Sequence, residues 1–89
     1  MFWKINLEIM ITQKDKFLTF DLGLASALST LGYELWEIDK TNPRKAQFVF
    51  KQDKDIDKAV NDYWNNNLLV NARSIVDNQK MIKNRLYSQ

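Results

Sequence analysis

The chain has 89 residues, 45% of them hydrophobic and 12% aromatic, with no cysteine, no histidine and a formal net charge of +2. A chain of this length makes one domain with a thin core; it is too apolar for disorder and lacks the residues for disulfides, thiolate ligands or His-based nucleophilic catalysis. The charge is too small to announce a nucleic-acid partner by itself, and no apolar run approaches a membrane span, so the sequence reads as a cytoplasmic protein with no membrane partner.

The single domain, 1–89, divides on this reading into a core at 17–87 and a peripheral strand within 1–16. Ile5, Leu7, Ile9 and Ile11 alternate in "INLEIMI", the mark of a half-buried strand. Glu8 inside that run argues against a signal peptide. Met10 offers an internal start, which would make residues 1–9 dispensable to the fold. Trp3 lies beyond any capped element and reads either as a core plug or as an exposed anchor for a partner, a second copy of the chain included.

"FLTFD" (17–21) is a short strand, and Asp21 stands where an N-cap is needed for a helix over 22–31. Leu24, Leu28 and Leu31 form its apolar stripe, with Ala25 and Ala27 beside them so that the helix can lie close on a sheet. Gly32 falls at the left-handed position that ends a helix. Gly23, in the first turn, invites a phosphate-binding reading, but the further glycines and the lysine of such loops are missing and Asp21 would repel an anion. Punctuation is the better reading of both glycines.

"YELWEID" (33–39) and "KAQFVFKQ" (45–52) make two strands joined by a turn at Asn42-Pro43, an antiparallel hairpin. Ala46, Phe48 and Phe50 share the core face. On the first strand Trp36 and Ile38 are expected on one face, and Leu35 breaks the alternation, which signals burial on both sides or a bulge. In "DKDIDKAVNDYWNNN" (53–67) Ile56, Ala59, Val60, Tyr63 and Trp64 follow helical spacing, with Asp53 as cap and asparagines 65–67 as terminator. "LLV" bridges to a last helix started by Asn71, with Ala72, Ile75, Val76, Gln79, Ile82 and Leu86 on its apolar stripe. The fold class is therefore α+β: an antiparallel sheet of three or four strands in the order (β)βαββαα, one short helix on the sheet and two carboxy-terminal helices.

Little chemistry is on offer. Asp53, Asp55 and Asp57 have the opening spacing of a calcium loop, but Lys58 and Trp64 stand where it needs Gly and Glu, so no metal or other cofactor is expected. Glu34 and Glu37 point to opposite faces of a strand, which disfavours a paired-carboxylate site. No catalytic residue emerges and the chain does not read as an enzyme.

Charge distribution says more. Residues 40–52 carry +4 and residues 65–89 carry +3, while 1–39 and 53–64 are net acidic. Lys40, Arg44, Lys45 and Lys51 surround the hairpin; Lys80, Lys83 and Arg85 close the last helix. Solvated turn cations and helix-end cations are the plainer reading, since the nearby aromatics have core positions to fill. The functional reading is a basic ribbon and helix laid against a nucleic-acid backbone.

The string "FLTFDLGLASALSTLGYELWEIDKTNPRKAQFVF", with "DYW" and an amphipathic helix after it, resembles an uncharacterised family of small proteins of bacteriophages and mobile prokaryotic elements. The resemblance rests on Thr19, Asp21, Leu22, Leu24, Ala25, Gly32, Phe48, Phe50, Tyr63 and Trp64 and covers about 17–87; Ser26 departs from the pattern, which has alanine there. It implies an accessory protein acting on nucleic acid or on proteins that handle it, and gives no catalytic residue. The expected function is thus a non-catalytic module for nucleic acid or a nucleoprotein complex. The alternative is a module that inhibits or recruits a host or phage protein, self-associating as a homodimer through the edge of strand 5–11.

Overall fold

In a computed structural model, which describes residues 15–88, the chain runs β1 (Lys16–Thr19), α1 (Leu22–Thr30), β2 (Leu35–Asp39), β3 (Gln47–Lys51), α2 (Ile56–Trp64) and α3 (Ala72–Tyr87). The strand expected at 5–11, its edge as a dimer surface and the Trp3 anchor lie outside the described residues. The order βαββαα with a three-stranded antiparallel sheet is the expected α+β fold.

β3 is the central strand, flanked by β1 and β2. Phe17 and Leu35 both oppose Phe50, and Thr19 and Ile38 both oppose Phe48, so these residues make the core face. Phe48 and Phe50 are fully buried there with Leu24, Ala25, Leu28, Ile56, Ala59 and Ile82. A strand paired on both edges is shielded on its outer face too: Val49 points away from the helices yet is only 6% exposed.

The irregularity at Leu35 is a bulge. Between Leu35 and Glu37 the register slips by one, so Trp36 is the extra residue opposite β3. The slip lets Leu35 and Ile38 both face the core and leaves Trp36 and Glu37 exposed. Trp36 and Ile38 therefore do not share a face, contrary to the alternation read from sequence.

Both early helices end in the same motif. Asp21 caps α1, accepting from the Leu24 N–H at 2.7 Å. Gly32 then turns the chain at φ +98°, and the Gly32 and Tyr33 N–H groups close on the Ser29 and Leu28 carbonyls. α2 stops on Asn66 at φ +62°, with Asn66 and Asn67 donating to Tyr63 and Asp62. Its start differs from expectation: the helix begins at Ile56, and the Asp53 carboxylate accepts from the Asp55 N–H in a turn before it. Asn71 caps α3 by accepting from the Ser74 N–H at 3.0 Å.

α1 is buried from Leu24 through Leu28, including Ser26, whose hydroxyl donates to the Leu22 carbonyl. Leu31 ends half-exposed beyond the last turn, and on α3 Ala72 and Val76 are exposed, so the two apolar stripes are narrower than expected. Asn78 takes a place on the inner face of α3 instead. It donates to the Thr30 hydroxyl at 3.1 Å and ties α3 to the end of α1.

Candidate nucleic-acid interface

The β2–β3 turn is built by side chains that stand in for missing backbone pairs. Asp39 accepts from both the N–H and the hydroxyl of Thr41, and Asn42 accepts from the Arg44 N–H at 2.9 Å. Hydrogen bonds from the Thr41 hydroxyl and then its N–H hold the Asp39 carboxyl below the usual carboxylate range. The turn thereby acquires one shape, and its cations acquire fixed roots.

Lys40 couples this turn to the far end of the chain. Its ammonium donates to the Leu86 carbonyl at 3.1 Å and the Arg85 carbonyl at 3.3 Å. The last carbonyls of a helix have no partner within it and form its negative end, so a lysine is suited to that place. The two basic regions of the sequence are thus joined: a hollow of about 360 Å³ lies between them, lined by Lys40, Pro43, Arg44, Lys45, Leu86 and Tyr87.

The predicted cations divide by position. Arg44 and Lys45 are exposed at the turn. Lys80 and Lys83 are exposed on α3, and the spacing 80, 83, 87 puts both on the helix face that carries Tyr87. Arg85 contributes its carbonyl to Lys40, while its side chain leaves the helix on another side from Lys83. Lys51 does not join the group: it lies at the opposite end of β3, paired across the sheet with Lys16.

Two aromatics missing from the sequence reading belong to this surface. Tyr87 is 78% exposed and walls the hollow. Phe20 is 51% exposed on the other side of the turn, with the Lys45 ammonium 4.8 Å from its ring centre. It walls a second hollow of about 210 Å³, shared with Asp39, Thr41, Asn42, Lys45 and Gln47. Neither ring has the core position that the plainer reading gave to aromatics near the hairpin. Tyr87 was detectable from its spacing to Lys80 and Lys83; Phe20 carried no such signal.

Among the described residues no group of three His, Cys, Asp or Glu side chains is placed to hold a metal ion. Nor is any helix among them long and apolar enough to cross a membrane.

A three-stranded antiparallel sheet, one helix inserted after its first strand and two helices after its last define a small α+β domain. The chain belongs to the family described as a domain of unknown function, DUF5659, which matches it over residues 14–88. The match takes in every element from β1 to α3 and fits the resemblance to an uncharacterised family. No curated protein and no solved structure matches the chain.

Proposed function

We propose that this domain is a non-catalytic binding module for nucleic acid or a nucleoprotein complex, engaged through the β2–β3 turn and the outer face of α3. The observation that carries the reading is the Lys40 tether, which brings Arg44 and Lys45 of the turn and Tyr87 of α3 around one hollow. Cations held within one patch neutralise neighbouring phosphates and release their counterions together. The non-catalytic part of the proposal rests on a sequence without histidine or cysteine. Service to a phage or mobile element, which the family resemblance implies, belongs to the same proposal.

The test is a fluorescence anisotropy titration of the full chain with short labelled single- and double-stranded oligonucleotides at low and moderate salt. Micromolar or tighter binding that weakens steeply with salt, and is lost in Arg44→Glu/Lys45→Glu, is the expected result. Absence of binding at low salt sinks the reading and gives the surface to a protein partner, a second copy of the chain included.

A further inference from the structure

The turn has a hollow on each side, and the two share Asn42 and Lys45. Each is walled by one exposed aromatic ring, Tyr87 in the first and Phe20 in the second. We propose that the ligand of this surface is unpaired nucleic acid, crossing the turn with one base stacked on Tyr87, another on Phe20, and the intervening phosphates on Arg44 and Lys45. This rests on the nucleic-acid reading above and narrows it.

The geometry favours single strands over duplex for a physical reason. A base inside a duplex has its faces covered by its neighbours, so an exposed ring gains nothing from it; an unpaired base offers a whole face to each ring. Cations alone would serve either form, because both carry phosphates. Tyr87 and Phe20 are the parts of the surface that discriminate.

Charge divides the labour between the hollows and the ridge separating them. The Asp39 carboxylate, which accepts from Thr41, lines the Phe20 hollow and repels a phosphate there, while its oxygen suits the exocyclic amino group of a base. Arg44 lines only the Tyr87 side. Lys45 lines both, and its ammonium already lies against the Phe20 ring, where it meets the phosphate next to a stacked base. A strand laid across the turn therefore meets aromatic, cation and aromatic in succession.

The experiment compares a labelled oligodeoxycytidine, whose bases carry that amino group, with a duplex of the same length on the wild-type chain, Tyr87→Leu, Phe20→Leu and Tyr87→Phe, with thermal melting to show that each variant is folded. Single strand should bind more tightly than duplex. Each leucine variant should weaken single-strand binding about tenfold, from the ~1–3 kcal/mol worth of one stacked base, and weaken duplex binding much less. Tyr87→Phe, which keeps the ring, should bind as wild type. Photocrosslinking of wild-type protein to bromouracil-substituted oligonucleotide should map to Tyr87 and Phe20 and does not depend on any variant folding. Equal affinity for duplex, or leucine variants that bind single strand as wild type, overturns this inference; the broader reading survives if Arg44→Glu/Lys45→Glu still abolishes binding. Absence of any nucleic-acid binding overturns both.

Discussion

Gly23 lies in the first turn of α1 because Tyr63, from α2, needs the space. The Tyr63 hydroxyl donates to Asp21 Oδ1 at 3.3 Å, the same oxygen that caps the helix, and a Cβ at Gly23 would overlap that hydroxyl. The sequence reads Gly23 as helix punctuation; the structure gives it another reason, invisible there because the residue it accommodates belongs to another helix. A double-mutant cycle exposes the conflict. Gly23→Ala gains about 0.5–1 kcal/mol of helix preference but displaces the hydroxyl and forfeits about 1 kcal/mol of hydrogen bonding, so alone it is neutral or destabilising. In Tyr63→Phe the overlap with the hydroxyl is gone and the tight approach to Asp21 Oδ1 at 3.2 Å remains, so the same substitution should be more favourable than in the wild type and should stabilise by at most about 0.5–1 kcal/mol. Chemical denaturation of the four proteins measures the coupling; effects that add within about 0.3–0.5 kcal/mol would show that Tyr63 and Gly23 do not compete.

At the scale of elements, the two helix ends make a matched pair with opposite predictions. Gly32 at φ +98° has open space around it, so Gly32→Ala meets only backbone strain and should destabilise by about 1–2 kcal/mol. Asn66 at φ +62° bears a milder form of that strain, and Asn66→Gly should raise the melting temperature. A melting temperature unchanged by both would show that these termini fray rather than lock. Such ends were legible because capping is local: Asp21, Gly32 and Asn71 act on residues within a few positions. Period two also served β3, where Phe48 and Phe50 share the core face. On β2 the break at Leu35 signals two-sided burial or a bulge, and the pairing with β3 shows the bulge: one extra residue at Trp36 reverses which side chains face the core. On α3 Val76 is exposed, contrary to the expected stripe, while the half-buried Asn78 turns inward, where the Thr30 hydroxyl gives its amide a partner. The candidate site divides the same way. Its cations could be listed from sequence, but the Lys40 tether, the separation of Lys51 and the exposure of Phe20 depend on how distant elements meet.

For the molecule as a whole, the absence of histidine and cysteine sets a pH profile. No side-chain type present in the sequence has its ordinary titration between about pH 6 and pH 9. The shifts that do exist lie outside that window. Burial, followed by the Asp21 charge and hydrogen bond, pushes the Tyr63 phenol above its ordinary value of 10.0; burial and the nearby Asp55 and Asp53 charges push Tyr33 up as well. A phenol whose folded value is raised is neutral more readily in the folded state, so its contribution is complete below about pH 10 and is lost as pH rises through the folded value. The Asp62 hydrogen bond and charge raise Lys58 in the same sense, but that pair is exposed at the surface and adds little. Stability should therefore be flat from about pH 6 to pH 9 and fall above about pH 10, and the fall should be shallower in Tyr63→Phe. Urea midpoints across that range, with tyrosinate absorbance followed in parallel, read both effects. Nucleic-acid affinity should share the flat region, weakening with salt but not with pH. A loss of stability or affinity between pH 6 and pH 9 would require a titrating group that no ordinary side chain of this sequence supplies.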